Sequence, residues 1–184
     1  MDSNQIDTVK TLCDVVHILS ADLKGAMCID SFQVDALAEA IKVYAGRPII
    51  NSISMEESSP GVIKADAVME ATKDLGPLYV ALCTGPKGPG ATAEEKLDLA
   101  AQLVDRAAAH GVAPDRLFID VNVFPIGAES IEGMNFAFET LEGIRRVKTR
   151  FPDANTTLGV GNLTNGLAKK PYMRRVLTSV FLDE

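Results

Sequence analysis

Two rhythms of apolar and polar residues alternate along the chain. Short continuous apolar runs occur at Ala26–Ile29, Pro48–Ile53, Leu78–Leu82, Leu117–Val121 and Thr157–Val160. Each is too short for a helix and is bounded by turn residues, the pattern of a parallel strand buried on both faces. Between the runs, apolar residues recur at spacings of three and four. Val34, Leu37, Ala38, Ile41 and Ala45 form one such stripe, with Gly46 as its stop. Thr92-Ala-Glu-Glu95 is a capping box that opens a helix bearing Leu99, Leu103, Val104 and Ala107 and ending at His110-Gly111. Ile131, Met134, Phe138, Leu141 and Ile144 mark another helix, closed before Phe151-Pro152. Residues from Asn4 to Leu23 read as a helix before the first strand, and Tyr172 to Leu182 as one after the last.

The predicted order is α-β-α-β-α-β-α-β-α-β-α, an α/β protein whose parallel strands are joined by helical crossovers. Two architectures fit this order: an open doubly wound sheet, or an arc of a (β/α)8 barrel. No strand is followed by G-x-G-x-x-G, so a dinucleotide fold has no positive support. Pattern alone leaves the two architectures level.

Composition narrows the function classes. The 184 residues are 47% hydrophobic and 23% charged, ordinary for a chain with a packed core. A net charge of −7 argues against wholesale nucleic-acid binding. No apolar run reaches the roughly 20 residues of a membrane span, and the first residues lack the order of a signal peptide. The three cysteines are far apart and form no C-x-x-C, which argues against zinc and against a disulfide framework. Cys28 and Cys83 lie in apolar runs and read as buried small hydrophobes, in keeping with a reducing, cytoplasmic compartment. Basic residues gather between Arg145 and Arg175, as a solvated helix face or as a patch for an anionic ligand tail or partner.

The candidate chemistry lies where the strands end, since both architectures place their sites at carboxyl-terminal strand ends. The first strand runs into Asp30-Ser31, the second into Asn51-Ser52, the fourth into Asp120-Val121-Asn122 and the fifth into Gly161-Asn162. Asp30, Asn51, Asp120 and Asn162 are expected to converge on one mouth. Two carboxylates and two amides suit a neutral heteroaromatic with donor and acceptor edges, such as the amino-pyrimidine of a pterin. Phosphate chemistry would instead want Lys, Arg or a glycine nest. The third strand runs into a Gly- and Pro-rich segment from Cys83 to Thr92, read as a lid or entry loop at the same mouth, with a plain connection as the alternative. His17 and His110 fall on or at the ends of helices, away from strand ends, and no nucleophile elbow or metal-spaced histidine cluster is present.

Four motifs together carry a family resemblance: Cys-Ile-Asp-Ser-Phe at 28–32, Gly-Arg-Pro-Ile-Ile-Asn-Ser-Ile-Ser at 46–54, Phe-Ile-Asp-Val-Asn-Val-Phe-Pro at 118–125 and Thr-Leu-Gly-Val-Gly-Asn-Leu-Thr-Asn-Gly-Leu at 157–167. In this order and spacing the chain resembles the pterin-binding methyltransferases. These include the methyltetrahydrofolate:corrinoid/iron-sulfur protein methyltransferase and the folate domain of cobalamin-dependent methionine synthase. The resemblance implies a (β/α)8 barrel of TIM type that holds the pterin of methyltetrahydrofolate at its carboxyl-terminal mouth. It places Asp30, Asn51 and Asp120 among the pterin-binding residues, with Asn122 and Gly161 as secondary candidates. Asn162 matches the residue beside the methyl-bearing nitrogen and is the catalytic candidate. The expected partner is a corrinoid protein or cobalamin domain, since no Asp-x-His-x-x-Gly of a cobalamin site occurs here. A homodimer is expected, and run length and charge leave no membrane or nucleic-acid partner.

A complete barrel takes about 250 residues and eight strands. Against the family it resembles, residues 1–184 read as a partial barrel domain spanning the third to seventh β/α units, without the first two strands and the last. Relatives commonly carry Asp-Pro where this chain has Asp120-Val121. The expected reaction is methyl transfer from methyltetrahydrofolate to the cobalt of a corrinoid. The alternatives are a pterin condensation like that of dihydropteroate synthase and a folate-binding module without catalysis. The Ser-Arg-Lys motif of dihydropteroate synthase has no match, and Gly161-Asn162-Leu163-Thr164 stands in its place.

Overall fold

The computed structural model describes residues 7–127 and 133–184. The elements in chain order are α1 (Thr8–Asp22), β1 (Cys28–Asp30), α2 (Val34–Lys42), β2 (Ile49–Ile53), β3 (Glu57–Ser59), β4 (Val62–Ile63), α3 (Lys64–Thr72), β5 (Leu78–Leu82), β6 (Thr84–Gly85), β7 (Gly88–Pro89), α4 (Ala93–Ala109), β8 (Leu117–Asp120), α5 (Phe136–Arg150), β9 (Asn155–Thr157) and α6 (Pro171–Asp183).

Five of the strands form one parallel sheet in the order β1-β2-β5-β8-β9. Spatial order equals chain order, and this separates the two architectures left level by the sequence. A doubly wound sheet reverses direction at a switch point, which sends helices to both faces. Right-handed crossovers that always step the same way lay every helix on one face. The helices obey: α1 packs on α2, α2 on α3, α3 on α4 and α4 on α5. The sheet is that of consecutive units in a (β/α)8 barrel, with one face under helices and, among the described residues, the other free of them.

Strand alternation divides the sheet residues between these faces. Ile29, Ile50, Tyr79, Ala81, Leu117 and Ile119 are buried, and they pack in one core with Leu37, Ile41, Val68, Met69, Leu103 and Val147 from the helices. Tyr79 places its hydroxyl 2.9 Å from Thr72 Oγ1, which satisfies a polar group in that core. The intervening residues Cys28, Asp30, Asn51, Phe118 and Asp120 are half-buried or exposed on the helix-free face. The polar candidates therefore share a face because they share a strand phase.

The capping box forms as expected. Glu95 N donates to Thr92 Oγ1 at 3.2 Å, and Glu95 Oε2 accepts from Thr92 N at 3.1 Å. Other expectations shift. The fifth strand covers Asn155–Thr157 rather than Thr157–Val160, because the chain turns at Gly159 into a 3₁₀ turn over Val160–Thr164. The helix with the Phe138, Leu141 and Ile144 stripe begins at Phe136, capped by Asn135. Met134 precedes it, and Ile131 lies outside the described residues. The second helix stops at Lys42, before Ala45 and Gly46. Asn4 also lies outside the described residues, and α1 starts after its cap Asp7. Cys83 is buried as expected, but Cys28 is exposed, because its strand phase turns it to the helix-free face.

Candidate functional site

Asp30 ends β1 and Asn51 sits beside it on β2, their Cα atoms paired in register. Asn51 Nδ2 donates to Asp30 Oδ2 at 3.2 Å. One carboxylate oxygen and the amide oxygen are thereby turned toward the open face. The ladder between β2 and β5 skips a residue just after Asn51, next to a cis Asn51–Ser52 peptide.

Asp120 ends β8, in register with Leu82 on β5 and Thr157 on β9. Its Oδ1 accepts from Asn122 N at 2.9 Å, an Asx-type turn that aims the carboxyl at the strand end. Burial raises the Asp120 pKa above its ordinary value, while the Asn122 N–H and the Lys96 charge pull it down. Asn122 has φ 60°, the left-handed region that asparagine tolerates better than most side chains. Its amide donates to Cys83 O at 2.8 Å and to Thr84 Oγ1 at 3.2 Å, so it faces the neighbouring strand end.

Asn162 lies in the 3₁₀ turn after β9 and is exposed. Leu163 and Thr164 anchor this turn from below: both are buried, and Leu163 packs with Val123 and Phe181. Ile126 N donates to Leu163 O at 3.0 Å, tying the turn to the segment that follows Asp120. A Cβ at Gly159 would come within 3.1 Å of Asn162 Nδ2, so the missing side chain lets the amide fold over the backbone there. Asn162 Oδ1 accepts from Asn165 Nδ2 at 3.4 Å. At Gly161 an added Cβ would meet nothing within 4 Å, and packing in this chain does not demand glycine there.

Asp30, Asn51 and Asp120 lie at the carboxyl-terminal edge of one parallel sheet, and Asn162 lies in the turn that follows β9. Direct contact joins Asp30 to Asn51, whereas Asp120 and Asn162 are linked through the backbone of 122–126 and the turn. The segment from Cys83 to Thr92 holds a short antiparallel hairpin, β6 with β7. Thr84 at its base is buried beside Asn122.

Two lysines beside the site were not singled out from the sequence. Lys64, the first residue of α3, is 8% exposed, with its ammonium 5.5 Å from the Phe32 ring centroid. Burial lowers its pKa, with Glu56 and Asp30 acting the other way. Lys96 on α4 is fully buried and donates to three backbone carbonyls. A charged residue inside an otherwise apolar helical stripe was the available signal, since lysine is almost never buried without partners. The histidines stand apart: His17 is on α1, and His110 Nε2 lies 3.2 Å from Asp66 Oδ1 at the end of α4.

A singly wound parallel sheet under one layer of helices is the architecture of the (β/α)-barrel class, in which sites lie at the carboxyl-terminal strand ends where these carboxylates and amides stand. Residues 3–184 match the family described as pterin binding enzyme, and the chain belongs to that family. It is 33% identical over 157 residues to the methionine synthase of Mycobacterium tuberculosis, covering 85% of this chain and 13% of that protein. The Mycobacterium leprae methionine synthase is 32% identical over 157 residues, with the same coverage. The methylcorrinoid:tetrahydrofolate methyltransferase of Eubacterium limosum is 27% identical over 173 residues, covering 93% of this chain and 59% of that protein. The chain thus spans a small part of the methionine synthases it matches and somewhat over half of the third relative.

Proposed function

We propose that this chain binds the pterin of methyltetrahydrofolate and promotes transfer of its methyl group to a corrinoid. The observation that carries the reading is the registered Asp30–Asn51 pair on the same helix-free face as Asp120, in a member of the pterin-binding family. Its five strands would be the third to seventh of a complete barrel.

Asp120 and Asp30 accept the paired N–H groups of the amino-pyrimidine, and Asn51 fixes the adjacent donor and acceptor. Such fixing is a large share of the rate in a two-substrate transfer, because it replaces a chance encounter by a held geometry. The reacting nitrogen leaves as the C–N bond breaks, and it needs a proton or a strong hydrogen bond to leave well. Asn162 Nδ2 donates to that nitrogen, with most strength as charge builds up on it. The corrinoid, when bound, supplies the metal nucleophile that accepts the methyl group. The residues fit a visiting rather than a resident corrinoid. The polar side chains singled out at the mouth are carboxylates and amides, and both histidines lie on the helical side, so the corrinoid arrives on a partner protein or domain.

The test is single-turnover stopped-flow with saturating methyltetrahydrofolate and a reduced corrinoid protein. Methylation of the corrinoid at a rate dependent on Asn162 is expected. Folate binding without transfer would leave a binding module, and turnover of a pterin pyrophosphate with aminobenzoate would favour condensation.

A further inference from the structure

Lys96 has no part in the strand-end set, yet it is the most deeply placed charge beside it. The residue is fully buried, and its ammonium donates to Gly90 O at 2.9 Å, Val121 O at 2.6 Å and Asn122 O at 3.0 Å. It also lies 5.0 Å from the centroid of the Phe124 ring. The carbonyls belong to the two segments that leave β5 and β8 at the mouth. Sheet pairing has ended there, and backbone oxygens without a ladder partner need another donor. Asn122, with its φ of 60°, forms the bend that carries two of them, Val121 O and Asn122 O. That bend also presents the N–H which holds Asp120 Oδ1.

The neighbouring helix makes room for this lysine. A Cβ on Gly143, in the middle of α5, would sit 2.8 Å from Lys96 Cδ. Glycine inside a helix is less favourable than alanine, and here its absent side chain is the space the lysine stem occupies. A buried methionine of similar length would fill the space without a desolvated charge. What methionine would lose is the clamp on three carbonyls.

We propose that Lys96 is a positioning residue of the pterin site, fixing the 121–122 bend so that Asp120 and Asn122 hold their ligand-facing geometry. The inference rests on the pterin reading for its ligand but on the structure for its clamp. Burial lowers the Lys96 pKa to about 8, and Cys83, Asp120, Glu139 and Glu95 act the other way. The clamp therefore weakens as the pH rises through about 8, while Cys83, pushed by burial up to about 12, stays a thiol over the same range.

The experiment compares Lys96→Met, Gly143→Ala and the parent protein by amide hydrogen exchange and by calorimetric titration with methyltetrahydrofolate. In Lys96→Met, the Asn122 and Val123 amides are expected to exchange at least tenfold faster, while amides of β5 stay protected. Affinity is expected to fall at least tenfold, and a decline of parent affinity above pH 8 is expected to vanish in the variant. Gly143→Ala retains the charge but crowds its stem, and should show a smaller form of both effects. Unchanged exchange at Asn122 in Lys96→Met overturns the clamp. Unchanged affinity beside a weakened Asp120→Asn control overturns the positioning role alone. If Asp120→Asn and Asp30→Asn also bind as the parent does, the pterin reading fails, and the exchange result decides the clamp by itself. Should Lys96→Met not fold, Gly143→Ala decides: parent-like exchange at Asn122 in that variant overturns the clamp.

Discussion

Asn51 reaches across from β2 and donates to the Asp30 carboxylate of β1 at 3.2 Å, between two residues paired in register. The bond orients the carboxylate and commits one amide proton, so the two residues act as one recognition unit. Asp30→Asn and Asn51→Ala should each weaken methyltetrahydrofolate binding by about tenfold, in line with the roughly 1–1.5 kcal/mol of such bonds. The double variant should lose less than the sum, by about 0.5 kcal/mol or more. Calorimetric titration of all four proteins gives the cycle, and strict additivity would separate the pair.

Asp120→Asn should cost about 1.5–3 kcal/mol of folate affinity, since a charge-assisted bond becomes a neutral one. Burial raises the Asp120 pKa, and the sign of its stability effect follows. A carboxyl with a raised folded pKa contributes stability below its unfolded pKa and loses it as pH rises through the folded one. At neutral pH the ionised Asp120 therefore costs stability, and Asp120→Asn should melt higher than the parent near pH 7 while binding worse. Thermal melts across pH 3–8 should show that advantage shrinking on the acid side.

Asn162→Ala should lower the single-turnover methyl-transfer rate more than it weakens binding. A donor that gains strength only in the transition state shows in the rate, and losing one costs about 10²–10³-fold. Gly159→Ala offers a gentler probe, because its new Cβ would approach Asn162 Nδ2 to 3.1 Å. A partial rate loss with near-parent affinity is expected. Equal single-turnover rates for parent and Asn162→Ala would reduce Asn162 to a turn residue.

Thr92→Ala removes the reciprocal cap of α4, in which Glu95 N and Thr92 Oγ1 meet at 3.2 Å. The expected loss is about 1 kcal/mol. For a chain of this size that lowers the melting temperature by roughly 2–4 °C. Differential scanning calorimetry checks it.

The strands, the helices and the polar strand ends were legible because burial imposes a period of two or of about 3.6, and both survive in the residue types. Strand order was not legible. Nothing in the apolar runs says whether successive crossovers keep or reverse direction, and that choice decided the architecture. Cys28 misled for a related reason: an apolar run marks a strand but not which of its faces lies under helices. Asn162 was placed on a strand end and stands instead in a 3₁₀ turn, because β9 ends at Thr157 and the chain turns over Val160–Thr164. Lys96 left only its place in the apolar stripe of α4 as a signal, because its acceptors are backbone carbonyls, which residue types do not encode.

The most direct test of the account is a crystal structure of the protein with methyltetrahydrofolate. The account predicts the amino-pyrimidine edge within hydrogen-bonding distance of the Asp120 and Asp30 carboxylates. The N-methyl nitrogen should lie next to Asn162 Nδ2, on the helix-free face. A pterin bound elsewhere, for instance in the groove between Gly161 and Arg174–Arg175, with the strand-end carboxylates free of it, would contradict the account.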